Sequence, residues 1–324
     1  MLVLLVLATG ASHAATSHQQ TLTTQSAEHH LLSWNDTDAR KRIIDLVNRI
    51  TMEGSADYVP SAERFVVFDM DGTLMTEHPY WLTLEFAFYL ARERAFEHPE
   101  WRNDLFIASI IEGNPPKTVT SAQWRQLTGL VEANMERQEL RAKADYWMVH
   151  GRNHEGKLFR HLIFQPMKEL MEYLRDNDFK TWISTGTWDT FSQSAAAYFG
   201  VPSYQVLSAE RALELREDRE KTYVVQLEQE FFPNMFRDKV LGLERVFAGI
   251  RPIIVAGNTN NDMAMMTWSA DRDGASLQLL IIHDDEKREA LHYAGDEVLK
   301  RADERGWLKV SVRDDWKVIF PENQ

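Results

Sequence analysis

The chain has 324 residues, 44% of them apolar and 26% charged, the makeup of an ordinary globular protein with room for two domains or for one large domain carrying an insertion. A formal net charge of -13 argues against nucleic acid or an anionic membrane as the main partner, and no apolar run reaches the roughly 18 residues a membrane span needs. The absence of cysteine excludes disulfides, thiolate metal sites and cysteine nucleophiles.

The chain opens on a short apolar stretch, Met1–Leu7, followed by small residues that include Ser12 and Ala14. This pattern suits a cleavable export signal over residues 1–14, although no Lys or Arg precedes the apolar run; a disordered tail is the alternative. Residues 15–33 are polar and read as a linker. An amphipathic helix is expected next, capped by Asn35 or Asp36, with Ile43, Ile44, Leu46, Val47 and Ile50 as its apolar stripe. Phe65–Phe68 is a four-residue apolar, partly β-branched run and reads as a buried strand.

From about Thr76 to His161 the pattern turns helical. Tyr80–Ala91 is apolar nearly all round, and Ser121 can cap a helix bearing Trp124, Leu127, Val131 and Met135. Trp81, Trp101, Trp124 and Trp147 fall in this stretch, where aromatic residues at helical spacing belong to a core; a cage for a quaternary ammonium group is the alternative. Residues 76–161 therefore read as a helical domain inserted after the first strand.

Beyond it, helices and apolar strands alternate. A helix over Met167–Arg175 leads to a strand at Lys180–Ser184, and one near Val240–Ala248 leads to Pro252–Ala256. Leu277–His283 reads as a further strand, Lys287–Arg301 as a helix and Leu308–Val312 as a last strand. The alternation implies an α/β architecture, a parallel Rossmann-like sheet with helices on both faces, built from residues 34–75 and 162–324.

The decisive stretch is Phe65-Val66-Val67-Phe68-Asp69-Met70-Asp71-Gly72-Thr73-Leu74. Two carboxylates at the end of a buried strand are costly without a positive partner, and a divalent cation is the natural one because hard cations take oxygen ligands. Gly72 permits a tight turn whose N–H groups can point at an anion. The plainer account is a strand end followed by an Asp-Gly turn.

At these residues the sequence resembles the haloacid dehalogenase-like hydrolases, in a branch with a helical cap similar to the phosphoserine phosphatases. The resemblance implies Asp69 as a nucleophile that becomes transiently phosphorylated and Asp71 as general acid, then general base. Gly72 and Thr73 would join the phosphate-binding loop, and Mg2+ is the implied cofactor. The second motif matches Thr181–Gly186, with Ser184, and Thr185 beside it, as phosphate-binding residues. The third, a lysine ahead of the fourth strand, is best matched by Lys239, with Lys221 a less well-placed competitor. The fourth matches Gly257 to Asp262, with Asn258 where the family carries an acid; Asp69, Asp71, Asn258 and Asp262 would hold the metal. Since the carboxyl ends of parallel strands open onto one crevice, residues more than a hundred positions apart can share a site.

The resemblance thus implies hydrolysis of a small phosphomonoester; the N-terminal pattern places it outside the cytoplasm, in the periplasm, and the acidic charge and short apolar runs argue against nucleic acid or stable membrane association. A phosphomutase and a non-catalytic binding protein with a weakened metal site are its rivals. His283-Asp284-Asp285 ends a strand where pocket residues could sit, but helix capping by the two acids is the plainer account.

Overall fold

The computed structural model describes residues 30–289 and 295–321. The export signal expected over residues 1–14 and most of the linker expected over 15–33 lie outside them. Among the described residues there are seven strands: β1 (Phe65–Phe68), β2 (Lys180–Trp188), β3 (Val206–Glu217), β4 (Thr222–Phe232), β5 (Ile254–Gly257), β6 (Leu277–Ile282) and β7 (Leu308–Ser311). They form a mostly parallel sheet in the order β4-β3-β2-β1-β5-β6-β7. The α/β architecture expected from the alternating pattern is therefore present. Among the described residues, no helix is long and apolar enough to cross a membrane.

The chain divides into two compact units. One takes its described residues from Met1–Phe68, Gln165–Trp182 and Glu244–Ile319. Here β1, β5, β6 and β7 pair in parallel, with Val67 beside Val255, Ala256 beside Leu279 and Leu280 beside Lys309. The short runs of Val, Ile and Leu in β1, β5 and β6 are buried almost throughout, which is why they read as unbroken apolar stretches rather than alternating ones. The helix Asp38–Thr51 packs Ile43, Leu46, Val47 and Ile50 inward as its spacing predicts, but it starts later than expected, with Thr37 rather than Asn35 or Asp36 at its cap. Asp36 instead lies near Arg40 and Lys41 at the surface.

Leu31 and Ser33, counted with the linker because of the polar residues before them, are buried. Ser33 donates through its main-chain N–H and its hydroxyl to the Glu169 carboxylate, each at 2.8 Å, and the Trp34 indole donates to the Pro166 carbonyl. No polar-composition argument could show this, because the partners are more than 130 residues away.

The helix expected over Lys287–Arg301 is corrected in part: Glu286–Arg288 form a turn and the described helix is Asp296–Arg305, while residues 290–294 of the expected span lie outside the described residues. Asp285 holds that turn by accepting from the Lys287 and Arg288 amides at 3.1 Å. Asp284 accepts from Ser311 Oγ and the Arg313 amide, so both acids serve local backbone structure.

The second unit takes its described residues from Asp69–Phe164, Ile183–Leu243 and Phe320–Gln324. Its helices Leu82–Arg94, Leu105–Ile111, Ser121–Glu132 and Arg137–His150 account for most of the stretch read as helical. Thr120, not Ser121, caps the third of these, in a reciprocal box with Gln123. Trp101, Trp124 and Trp147 are core and Trp81 is half-buried beside Trp124: Trp147 packs against Phe86, Phe159 and Phe191, and Trp124 stacks on Trp188 at 5.4 Å.

The antiparallel hairpin β3–β4 was not expected from the sequence. Much of its length faces solvent and is charged, so it lacks the apolar run that marks a buried strand. Its connection is an Asx turn in which Asp218 accepts from the Glu220 and Lys221 amides at 2.8 and 3.0 Å, bonds that also hold its carboxyl below the usual range.

Where the hairpin meets the helices it buries a charged pair. Arg211 and Glu132 lie 3.6 Å apart, both almost fully buried, and the Gln226 amide donates to Glu132 at 2.6 Å. Burial pushes Glu132 up to about 7 and lowers Arg211, so desolvation outweighs the attraction on both sides. Arg211→Met and Glu132→Gln should therefore each cost about 3 kcal/mol, because each strands its partner, whereas the double variant should cost much less than the sum of the two. Urea unfolding of the three variants at pH 8 checks this.

Candidate active site

The β1 backbone delivers Asp69 to the end of a buried strand, one residue past Phe68. Its carboxylate meets Lys239, whose Nζ lies 2.5 Å from Asp69 Oδ1. Lys239 is 0% exposed and Asp69 is 5% exposed. The lysine sits in the first turn of the helix Arg237–Phe247 and is among the largest fully buried side chains of the protein. An ammonium is buried in this way only with a counter-charge, so the solvated lysine that a helix start usually carries is ruled out here. Lys221, the alternative, is at the surface with Glu136 at 2.6 Å.

Two residues on, the chain reverses. Gly72 has φ +72°, a conformation that any side chain with a Cβ resists, and its N–H donates to the Met75 carbonyl at 2.8 Å. The Thr73 and Leu74 amides donate to Met70 at 3.3 and 2.8 Å. These bonds close the turn tightly on itself. Its effect is to place Asp71 against the end of β2.

There Thr187 Oγ1 donates to Asp71 Oδ2 at 2.7 Å and Thr185 Oγ1 lies 3.4 Å from the same oxygen. Asp71 Oδ1 is buried without a hydrogen-bond partner, although the residue as a whole is only partly covered. Burial pushes the Asp71 carboxyl up to about 7, and the nearby negative charge of Glu77 adds to the rise; the Thr187 hydrogen bond, the Lys239 charge and the Thr185 hydrogen bond oppose it. A carboxyl poised near neutrality can both give and take a proton.

Ser184 and Thr185 are buried within β2, just past Ile183. They are bracketed by a residue that the sequence did not single out. The Asn234 side chain donates to the Thr185 and Leu207 carbonyls at 2.9 Å, with Ser184 Oγ at 3.4 Å, and its backbone has φ +43°. An asparagine tolerates that conformation better than most residues, which is the one sequence-level hint it offered.

Asp69, Asp71, Gly72, Thr73, Ser184, Thr185 and Lys239 all belong to the second unit, whereas Asn258 and Asp262 belong to the first. There Asp262 organises the loop after β5: its Oδ2 accepts from the Asn258 and Thr259 amides at 3.0 and 3.1 Å. A Cβ on Gly257 would come within 2.4 Å of Asp262 Cβ, so only glycine lets the loop close on this carboxylate.

Among the described residues no three His, Cys, Asp or Glu side chains are grouped to hold a metal. The donor set nevertheless fits a hard divalent cation. Asp69 is a buried carboxylate, and two residues on Asp71 has a buried carboxyl oxygen with no hydrogen-bond partner; both are oxygen donors of the kind such a cation takes.

Lys239→Met should leave Asp69 buried and uncompensated, at a cost of about 3 kcal/mol, and Asp69→Asn in the same chain should recover much of that loss. Thermal unfolding of the single and double variants at pH 7.5 measures it.

A parallel strand ending in a buried, lysine-paired aspartate, with a second aspartate two residues on, defines a hydrolase-type α/β site. The family model for haloacid dehalogenase-like hydrolases matches residues 66–267, well over half of the chain, and the protein belongs to that family. No curated protein sequence matches. Among solved structures, a protein of unknown function from Anaerococcus prevotii is similar at 15% identity and TM-score 0.57, over 87% of this chain and 94% of that one. A protein of unknown function from Bordetella pertussis is similar at 17% identity and TM-score 0.51, over 76% of this chain and 98% of that one. A phosphoserine phosphohydrolase-like protein from Francisella tularensis aligns over 74% of this chain and 98% of that one, at 14% identity and TM-score 0.40. At such identities the first two similarities concern the fold alone.

Proposed function

We propose that this hydrolase is a phosphatase that cleaves a small phosphomonoester through an aspartyl-phosphate on Asp69. The observation that carries the proposal is the buried Asp69–Lys239 pair two residues from a carboxyl held near neutrality. Lys239 donates to Oδ1 of Asp69 and so holds the attacking carboxylate in place. As the Asp69–phosphorus bond forms, the bond to the leaving oxygen breaks, and Asp71 gives that oxygen its proton. Asp71, now ionised, takes a proton from water, whose oxygen attacks the phosphorus and releases phosphate and Asp69. Lys239 offsets the negative charge of the phosphoryl group throughout, and the Ser184 and Thr185 hydroxyls are its proposed donors.

Mg2+ is the proposed cofactor; when bound it neutralises phosphoryl charge in addition to Lys239. The Asp69 carboxylate would be one ligand. Asp71, two residues on, would supply a second oxygen ligand. Asn258 and Asp262 enter the ligand set from the sequence motif alone, and export rests on Met1–Ala14 alone.

Turnover of p-nitrophenyl phosphate by the purified protein, with Mg2+ and after chelation, tests the proposal. Release of nitrophenolate that stops on chelation and returns with Mg2+ is the expected result. Phosphate binding with no turnover across metals and pH would replace it with the rival reading, a binding protein on the same fold. That rival rests on Asn258, an amide where the family carries an acid.

A further inference from the structure

β2 does more than present Ser184. The strand continues to Trp188, and its register with β3 slips on the way: Ser184 lies beside Leu207 and Trp188 beside Ala209, four steps on one strand against two on the other. Extra residues of this kind bend a strand and re-aim a side chain, and they occur often beside active sites. Here they turn Thr187 toward Asp71. Thr187 is 4% exposed, its hydroxyl donates to Asp71 Oδ2 at 2.7 Å, and its N–H donates to Thr185 Oγ1 at 3.1 Å.

The next residue locks the bend. Trp188 is 1% exposed, and its indole N–H donates to Thr128 Oγ1 at 3.0 Å. One ring face stacks with Trp124, and the Arg211 guanidinium lies 3.8 Å from the ring centroid. Arg211 also donates to Thr128 Oγ1 at 2.8 Å, which ties the helix Ser121–Glu132, β3 and the end of β2 together. Thr187 has little freedom to turn elsewhere.

We propose that Thr187 is the positioning residue for Asp71, holding Oδ2 so that Oδ1, the buried oxygen without a partner, faces the reacting group. The proposal rests on the reading of Asp71 as the proton carrier. A hydroxyl that donates to Oδ2 leaves the acid proton to Oδ1, and it fixes the carboxyl plane in both halves of the reaction. Without that hydrogen bond the carboxyl is free to rotate, and a misplacement of about 1 Å can cost about a hundredfold in rate.

The experiment compares Thr187→Val, Thr187→Ser and Asp71→Asn, with the double variant Thr187→Val/Asp71→Asn, in Mg2+-supported turnover of p-nitrophenyl phosphate. Thr187→Val should lower kcat by about ten- to a hundredfold with KM within about threefold, and Thr187→Ser should restore kcat to within about threefold of the parent. In the Asp71→Asn background, Thr187→Val should cause no further loss, because the group it positions is gone.

A Thr187→Val variant as active as the parent, a serine variant as impaired as the valine one, or a full additive loss in the Asp71→Asn background would overturn the proposal. If Asp71→Asn itself turns over normally, the proton-carrier reading fails and the positioning role falls with it. An impaired Asp71→Asn beside a normal Thr187→Val rejects the positioning role alone. Thermal unfolding monitors integrity, and Thr187→Ala paired with Thr187→Ser carries the same comparison if the valine variant does not fold.

Discussion

Asp69→Asn is expected to reduce turnover of any phosphomonoester by about ten-thousandfold or more, with no phosphorylated protein trapped on acid quench. An amide oxygen is a poor nucleophile toward phosphorus, and no neighbouring group can substitute, because the attacking atom must lie in line with the leaving oxygen. The same substitution leaves the Lys239 ammonium, 0% exposed, without the carboxylate 2.5 Å away. Asp69→Asn should therefore lose about 3 kcal/mol of stability as well as its activity. Asp69→Asn combined with Lys239→Met separates the two effects: stability should return and turnover should not. An Asp69→Asn protein that keeps the parent kcat would remove the nucleophile from the proposal.

The second large effect concerns Asp71. Asp71→Asn should release one equivalent of nitrophenolate from p-nitrophenyl phosphate in a burst and then stall, by about a hundred- to a thousandfold in steady state. A nitrophenolate departs without a proton, so the first step survives; the second step needs a base for water, and the base is gone. With an alkyl phosphate the same variant should show no burst, since an alkoxide cannot leave unprotonated. A burst with both substrates, or with neither, would contradict the assignment.

The carboxyl of Asp71 also makes stability depend on pH. Its folded pKa is about 7 against an ordinary 3.8, so between these values the folded state binds the proton that the unfolded state has released. Stability contributed by that proton is complete below about pH 4 and is lost as pH rises through about 7. The shift amounts to about 4 kcal/mol if taken whole, and about 2 kcal/mol is expected for a residue that is only partly covered. In chelator, urea unfolding of Asp71→Asn should show this fall removed, making the variant more stable than the parent above pH 7. A site that sacrifices stability for a carboxyl held near neutrality is behaving as functional sites do.

The local features of this site were legible from the residues. Phe65–Thr73 is contiguous, so a four-residue apolar run ending in Asp-x-Asp-Gly carried its own meaning, and β1, β5 and β6 could be read as apolar runs because both their faces are buried. Lys239 could be ranked above Lys221 by its place ahead of β5, but only folding shows it buried against a carboxylate 170 positions away.

Thr187, Asn234 and the Trp188 lock gave almost no signal, since a threonine past a strand motif and a tryptophan in a chain of ten tryptophans are unremarkable in one dimension. The β3–β4 hairpin was hidden by its charged, solvent-facing length, and Leu31 and Ser33 by their polar neighbours. The sequence by itself determined which groups could do chemistry, because identity and local spacing are written in it. Which oxygen of Asp71 is held, what neutralises Asp69 and why one carboxyl titrates near 7 were decided by tertiary structure alone. The reason is physical: a buried charge or hydroxyl takes its energy from whatever atoms folding places within about 3 Å of it, and those atoms come from anywhere in the chain.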